Sequence, residues 1–288
     1  MNELERERKV GATPANRTVL AVALIAVGAA GILLGGRDNG GGIEIGFPIH
    51  FGQALTESTE TRSVDFAGVR DLEVRTFNGR VELSTTSGEG VVELGKRGDV
   101  VITSEKQGSR YVVTARSRNV TCFNCGVNIK LQVPEGLAVD LASSNGSINL
   151  TGKVAGARLA SSNGSIEVVN AGSANVNAAT SNGRVEVRSL QGEVRVSSSN
   201  GRITLEDVTF PAGTRNEART SNGGIEVKGV SAPDGLAISG STSNGNVKVD
   251  LPGFQVQVDR RSFEARKDGG NKAELRLESS NASLTVTD

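Results

Sequence analysis

The chain has 288 residues, 36% of them apolar, with 37 glycines, one tyrosine, eight phenylalanines and no tryptophan. An interior with so few aromatic residues must consist of Val, Ile, Leu and Ala in thin layers, which is typical of a repeat architecture. Lys and Arg number 32, as do Asp and Glu, so the net charge is zero and nucleic acid is not an expected partner. One histidine and two cysteines offer little material for histidine-based catalysis or a four-ligand metal site, and no catalytic, metal or cofactor residues are assigned.

The first candidate element is an apolar run at residues 18–36, TVLAVALIAVGAAGILLGG, which is uncharged and long enough for one transmembrane helix. A cleaved signal peptide has a shorter apolar core and a small-residue cleavage site, whereas no A-x-A pattern follows this run. Arg6, Arg8, Lys9 and Arg17 precede the run and Arg37 follows it, so the positive-inside rule places the N-terminus in the cytoplasm. We therefore expect a cytoplasmic basic tail at 1–17, a single pass through the lipid bilayer at 18–36 and an extracytoplasmic C-terminal domain.

Residues 37–63 are predicted to form a glycine-rich linker and a cap. Gly40, Gly41 and Gly42 favour a flexible tether. The following stretch IEIGFPIHF, at 43–51, fits either a membrane-surface segment or a strand that caps the next domain, and Pro48 argues against a central strand.

Residues 64–288 contain a repeated unit, [ST]-S-N-G-x-φ-x-φ, in which φ is Ile, Val or Leu. Six close copies follow one another at intervals of 18 to 22 residues, and two divergent copies flank them. The last copy has Ala282 in place of the glycine. The asparagines of the eight units are Asn78, Asn145, Asn163, Asn182, Asn200, Asn222, Asn244 and Asn281.

The interval between units favours a parallel β-solenoid over an antiparallel meander. Apolar and polar residues alternate on both sides of each Asn-Gly, which indicates strands with one buried face. Hairpins of short strands would place Asn-Gly about every seven or eight residues, whereas one turn here serves a whole unit. We expect roughly eleven coils, with apolar pairs such as Ile166/Val168 and Val247/Val249 pointing inward. Caps are expected before Val74 and within residues 260–288.

The asparagines are predicted to form a structural turn ladder. Stacked corners would let each amide bond to the next along the solenoid axis, in a buried or semi-buried column. The glycine after each asparagine would supply a positive φ at the bend. The alternative is an exposed row of asparagines that binds a ligand.

The basic tail, the apolar run and the serial SNG units together resemble the bacterial putative-adhesin family of β-strand-repeat proteins. The resemblance covers residues 64–288 and implies a single-stranded parallel β-helix, right-handed, in the cell envelope. It supplies no catalytic residues to carry over. The Cys-Phe-Asn-Cys insert departs from the family pattern.

Cys122 and Cys125 form one CxxC without a second pair or a nearby histidine, so a zinc site is a poor interpretation. In an extracytoplasmic domain a local disulfide between them is the favoured alternative to spare thiols. A thioredoxin-type redox role would require a βαβ context that this chain does not offer.

Glu167 and Glu186 fall at equivalent positions of adjacent units, which raises the question of a paired-carboxylate glycosidase. Arg184, Arg188 and Arg202 occur two residues away on the same predicted face, which favours a solvated charge ladder instead.

The favoured function is a membrane-anchored, non-enzymatic binding, adhesin-like or scaffolding module of the bacterial cell envelope. Its expected partner is an envelope glycan or an envelope protein, bound through many equivalent weak contacts. The alternatives are a carbohydrate-active enzyme that uses Glu167 and Glu186, and an envelope-stress sensor that signals through residues 1–17.

Overall fold

The computed structural model describes residues 57–118, 122, 124–270 and 272–288, which fall in a compact unit beginning at His50. The predicted tail, the predicted membrane helix at 18–36 and residues 37–56 of the linker lie outside the described residues. Every regular element within the described ranges is a strand. A search of these ranges finds no helix with the length and hydropathy needed to span a bilayer.

The strands follow one another along the chain as β1 (Glu57–Val64), β2 (Asp71–Thr76), β3 (Val81–Thr86), β4 (Gly90–Arg97), β5 (Val100–Gln107), β6 (Arg110–Ser117), β7 (Gly126–Pro134), β8 (Ala138–Ser143), β9 (Ile148–Thr151), β10 (Gly156–Ser161), β11 (Ile166–Gly172), β12 (Asn175–Thr180), β13 (Val185–Gln191), β14 (Val194–Ser198), β15 (Ile203–Thr209), β16 (Arg215–Thr220), β17 (Ile225–Lys228), β18 (Leu236–Thr242), β19 (Val247–Asp250), β20 (Gln255–Asp259), β21 (Ser262–Lys267), β22 (Ala273–Ser279) and β23 (Leu284–Thr287).

These strands form two sheets. The first sheet has eleven strands in the order β1-β4-β7-β3-β9-β11-β13-β15-β17-β23-β19, and the second has twelve in the order β20-β21-β18-β22-β16-β14-β12-β10-β8-β2-β6-β5. Each central coil contributes one strand to each sheet and pairs in parallel with the next coil, so that β10 lies between β8 and β12, and β11 between β9 and β13. The prediction of an all-β fold with mostly parallel strands is confirmed, and the strand order is that of a β-solenoid.

The core lies between the two sheets and consists of columns of aliphatic side chains. Register pairing places Ile166 beside Val185 and Val168 beside Val187, and all four side chains are buried. Val247 and Val249 also pack against this core, as predicted, but they are only half-buried because β19 is the last strand of the first sheet. Removal of such columns from water supplies the main stabilising free energy of a thin fold of this kind.

A bend interrupts the first-sheet strand in three central coils, within β11, β13 and β15. Asn170, Ser189 and Asp207 occupy equivalent positions there, and each has a left-handed φ between 52° and 55°. The next residue in each coil, Ala171, Leu190 or Val208, returns to the core and is buried. Asparagine, aspartate and serine appear at this bend because short polar side chains tolerate that backbone region better than branched ones do.

The C-terminal coils are not stacked in chain order. The last coil, β22 and β23, lies between the β16–β17 coil and the β18–β19 coil, and it pairs in parallel with both. The hairpin of β20 and β21 then extends the second sheet beyond β18 in antiparallel pairing. The predicted cap at 260–288 is therefore only partly correct, because 262–267 lies at the end of the solenoid while 273–287 forms an internal coil.

The coils at the N-terminal end of the solenoid are also not stacked in chain order. The β6–β7 coil stacks outside the β2–β3 coil, and β4, β1 and β5 add antiparallel strands beyond it. Strand β1 precedes Val74 and is the edge strand of the first sheet, as expected of a cap, whereas β2 is an internal strand between β6 and β8. Residues 90–107 supply the other capping strands, β4 and β5.

Deletion of one whole coil tests the stacking register. Removing residues 163–181 joins Ser162 to Asn182 and restores a complete SNG unit, so the remaining coils keep their register. We expect this variant to unfold cooperatively, with a midpoint within about 10 °C of that of the parent chain, because a solenoid loses roughly one repeat and one interface. Thermal unfolding followed by far-UV circular dichroism measures this.

A deletion of residues 163–171 serves as the comparison. It removes about half a coil, so the following strands enter the stack out of phase, and we expect no cooperative transition. Equal stability of the two deletion variants would contradict the stacked-coil arrangement.

Candidate functional site: the SNG corner

The SNG corner comprises the [ST]-S-N-G residues that connect a second-sheet strand to a first-sheet strand in each coil. The eight asparagines of these corners lie in one column, here called the asparagine column. Every one except Asn78 donates from Nδ2 to Oδ1 of the next asparagine, at 2.5–2.8 Å, in the order Asn244, Asn281, Asn222, Asn200, Asn182, Asn163, Asn145, Asn78. Because all the amides point the same way, each hydrogen bond polarises the next one.

A disulfide-bonded loop ends the asparagine column. Asn78 donates from Nδ2 to the backbone oxygen of Cys125 at 3.1 Å, and Cys125 is bonded to Cys122 with their Cα atoms 5.5 Å apart. This loop lies where the β6–β7 coil would otherwise have an SNG corner. The sequence analysis placed both cysteines in a local loop but did not relate them to the asparagines.

The asparagine column is more exposed than the buried or semi-buried column that we expected. Asn78 is half-buried, and the other seven asparagines are exposed. An amide group has two donor hydrogens and two acceptor lone pairs on its oxygen, and the column uses one of each along its length. Every internal asparagine therefore keeps one donor and one acceptor for a partner in solvent. The exposure of these asparagines favours the alternative in which they bind a ligand.

A second set of hydrogen bonds lies beneath the asparagines and was missed by the sequence analysis. The Ser161 hydroxyl accepts from the backbone N–H of Gly164 at 2.9 Å and donates to the carbonyl oxygen of Gly146, one coil away, at 3.1 Å. The same pair of bonds recurs at Thr180, Ser198 and Thr220. The sequence pattern that indicates these bonds is the constant Ser or Thr three residues before each glycine. Its hydroxyl is buried, so it needs both a donor and an acceptor within the protein.

The SNG glycines are required by close approach of the coils. Gly164, Gly183, Gly201 and Gly223 do not have the positive φ that we expected, whereas Gly79 in the first unit does, with a φ of 118°. A Cβ built on Gly183 would lie 1.9 Å from the carbonyl oxygen of Gly164, and one on Gly223 would lie 1.9 Å from that of Gly201. The side chain is excluded because two backbones pass too closely for it. The contacts of Ala282 do not explain why a Cβ is accepted at this position in the last coil.

A column of serines runs beside the asparagine column. Ser199, Ser221, Ser243 and Ser280 are exposed, and Ser144, Ser162 and Ser181 are half-buried. Their backbone oxygens accept hydrogen bonds from neighbouring corners; for example, the backbone N–H of Asn222 donates to the carbonyl oxygen of Ser199 at 2.9 Å. The corner thus presents parallel rows of neutral amides and hydroxyls, one of each per coil.

The outer face of the first sheet carries charges that neutralise one another. Glu167 and Glu186 are neighbours in register, and Arg188 is hydrogen-bonded to both and lies 3.2 Å from a carboxylate oxygen of Glu206. Desolvation lowers the pKa of the Arg188 guanidinium, but the hydrogen bond to Glu186 and the charges of Glu186, Glu167 and Glu206 raise it above its ordinary value overall. The two carboxylates considered as a glycosidase pair are therefore bridged by one cation.

A groove lies on the outer face of the second sheet, near its C-terminal end. It has a volume of about 940 Å³ and is lined by charged side chains of both signs. Arg215 pairs with Glu274 at 3.5 Å and Arg266 pairs with Glu264 at 2.7 Å. No cluster of three or more His, Cys, Asp or Glu side chains suited to a metal ion occurs within the described ranges.

Comparisons with known proteins find likeness in three-dimensional structure. A putative cell adhesion protein from Clostridium sporogenes is 13% identical, with a TM-score of 0.38 over 81% of this chain and 99% of that one. A putative adhesin from Parabacteroides distasonis is 10% identical, with a TM-score of 0.27 over 81% and 98% of the two chains. One from Parabacteroides merdae is 11% identical, with a TM-score of 0.24 over 79% and 95%.

No protein-family model and no curated protein matches the chain. These three proteins are described as adhesins or as a cell adhesion protein, which agrees with the family that the SNG units resemble. Their identities and TM-scores are low, so what the SNG corner can bind must be argued from its own geometry.

Two adjacent glycines in one corner test the close approach. We expect Gly223→Ala to destabilise the protein by about 2–3 kcal/mol, because the added Cβ forces two backbones apart. Gly224→Ala is the matched control: its Cβ would lie 3.3 Å from the Ser283 oxygen, and other corners have Ser, Arg or Asn at this position. Urea unfolding of both variants measures the difference, and equal costs would contradict the argument.

The pH dependence of the stability of Asn200→Asp tests the hydrogen bonds of the asparagine column. The substitution removes the Nδ2 donor that bonds to Asn182 at 2.7 Å and sets a carboxylate against that oxygen, which costs about 1–2 kcal/mol at pH 7. The folded state disfavours the charged form of the introduced carboxyl, so the pKa of this carboxyl is higher in the folded than in the unfolded state. The loss of unfolding free energy relative to the parent chain should therefore be full above the folded-state pKa and shrink as the pH falls through it.

Asn246→Asp is the control for this experiment, because Asn246 is exposed and lies outside the asparagine column. We expect it to remain close to the parent chain in stability at every pH. Unfolding free energies of both variants between pH 4 and pH 8 provide the comparison. An Asn200→Asp deficit that does not change with pH would show that the amide column contributes no directional hydrogen bond.

Proposed function

We propose that the chain is a membrane-anchored, extracytoplasmic β-solenoid that binds a hydroxyl-rich envelope glycan along its SNG corner, without catalysing a reaction. The observation that carries this proposal is the row of exposed asparagines, each with one spare donor and one spare acceptor. Sugar hydroxyls both donate and accept, so they match amides and serine hydroxyls better than charged groups would. The corner is neutral, which agrees with a partner that carries little charge.

The repeat converts weak contacts into useful affinity. A single exposed hydrogen bond contributes little in water because it replaces one made to solvent. An extended polymer that contacts several coils makes the later contacts intramolecular, so their effective concentration is high. Since the coils are held in register by strand pairing, the binding groups need no ordering when the polymer arrives.

The anchoring part of the proposal rests on the sequence. The uncharged run at 18–36 and the basic residues before it support a single pass with the N-terminus in the cytoplasm. The Cys122–Cys125 disulfide agrees with an oxidising compartment outside the cytoplasm. The SNG units add the resemblance to an envelope family, which supports an adhesin-like role.

A double substitution at the corner tests the binding function. The Ser199 and Ser221 side chains are exposed and form no hydrogen bond with other described residues, so Ser199→Ala with Ser221→Ala should leave the fold intact. We expect the affinity of the full chain for isolated bacterial cell-wall glycan to fall about tenfold, since two hydroxyls of the binding row are lost. Co-sedimentation with the insoluble glycan measures the affinity.

The control is Ser173→Ala with Gln191→Ala, which removes exposed polar groups at and just after the C-terminal ends of first-sheet strands, away from the SNG corner. This pair should bind as the parent chain does. Equal binding by both double variants would place the glycan elsewhere. Release of soluble sugar by the parent chain would contradict a non-catalytic role and would favour the carbohydrate-active alternative.

A further inference from the structure

Strand β20 is an open edge at the C-terminal end of the second sheet. It pairs with β21 on one side, and no described strand pairs with its other side. Its five residues read QVQVD and are all exposed. An exposed edge strand presents unpaired N–H and C=O groups that can add another strand.

The other edge strands carry charges that discourage such addition, whereas β20 carries few. At the opposite end, β1 has Glu60 and Arg62, and β5 has Glu105 and Lys106. Hydrogen bonds from Arg62 and Lys96 lower the pKa of Glu60 to about 2, so this group stays charged at neutral pH. In β20 the first four residues are uncharged, which leaves this edge unprotected.

The side chains of β20 include two exposed valines. Val256 is 37% exposed and Val258 is 57% exposed, and they are the exposed large hydrophobic residues of the described chain. Val256 pairs with Ala265 and Val258 pairs with Phe263, both of which are buried. Since cross-strand partners share a face, the valines lie on the core side of the second sheet, beyond the point where the first sheet ends at β19.

We propose that β20 pairs antiparallel with β20 of a second copy of this chain and so forms a two-fold dimer with a continuous second sheet. Pairing centred on Gln257 sets Val256 opposite Val258 in both directions and sets Gln255 opposite Asp259. No like charges then face each other, and the four valines of two copies form one apolar patch. A shift of one residue would place valines opposite glutamines, so the pattern specifies this register.

A segment of the same chain is a poor occupant for this edge. The apolar stretch at 43–51 precedes β1 by residues 52–56, a link that spans about 20 Å at most. Strands β1 and β19 lie at opposite ends of an eleven-stranded sheet, which is about 50 Å across. A second copy meets no such limit, and a two-fold axis makes the contact self-complementary.

The first test compares the oligomeric state of full-chain variants in detergent by sedimentation equilibrium. We expect the parent chain to dimerise, and Val258→Lys to raise the dimer dissociation constant about tenfold or more, because it removes both valine pairs. Thr103→Lys on the opposite edge strand β5 is the control and should dimerise like the parent chain. Circular dichroism should show an unchanged fold in Val258→Lys, whose side chain is already exposed.

The second test uses cysteine cross-linking to read the register. The two copies of Gln257 face each other across the two-fold axis, at the Cα separation of an antiparallel pair, which is within reach of a disulfide. Gln257→Cys should therefore give a covalent dimer on oxidation, whereas Gln255→Cys faces Asp259 and should give several-fold less. A monomeric parent chain, a dimer unaffected by Val258→Lys, or equal cross-linking at both positions would overturn the proposal.

Discussion

The close approach of one corner to the next is the constraint on which the rest of the structure depends. At Gly183 the preceding carbonyl oxygen occupies the space that a side chain would need, and the hydroxyl of the following coil bonds to the same type of oxygen. Glycine and a buried Ser or Thr are therefore required together. The glycine and the hydroxyl residue together fix the asparagine between them at an equivalent position in every coil, so the amides form a continuous chain of hydrogen bonds.

The proposed binding function depends on this arrangement, because the hydrogen bonds within the column and those to a partner would use different donors and acceptors of the same amide. The column satisfies one donor and one acceptor of each internal asparagine, which fixes the side chain and leaves the remaining pair directed outward. The charged side chains are arranged differently: Arg188 is shared among three carboxylates on successive coils. The neutral corner is thus better suited to a hydroxyl-rich partner than the charged face.

Much of the stack could be predicted from the sequence, because one unit recurs and each copy obeys the same steric rule. The alternation around Ile166 and Val185 predicted strands, and the interval of 18 to 22 residues between SNG units predicted their parallel stacking. The role of glycine was predicted wrongly at every corner but that of Gly79, since a positive φ and a close backbone contact require the same residue and only coordinates distinguish them. The exposure of the asparagines was missed for a similar reason. The repeat spacing predicts which residues stack, but their solvent exposure depends on the backbone geometry of the corner.

The terminal coils could not be ordered from the sequence, because nothing local distinguishes β23 from β19 as a partner for β17. Their actual order has a consequence for how the molecule is completed. Residues 236–267 are joined by strand pairing to the rest of the solenoid through β22 and β23. Because residues 273–287 follow that block in the chain, residues 236–267 are synthesised before the coil that joins them to β16 and β17, and their pairing with the rest of the solenoid depends on a segment made later.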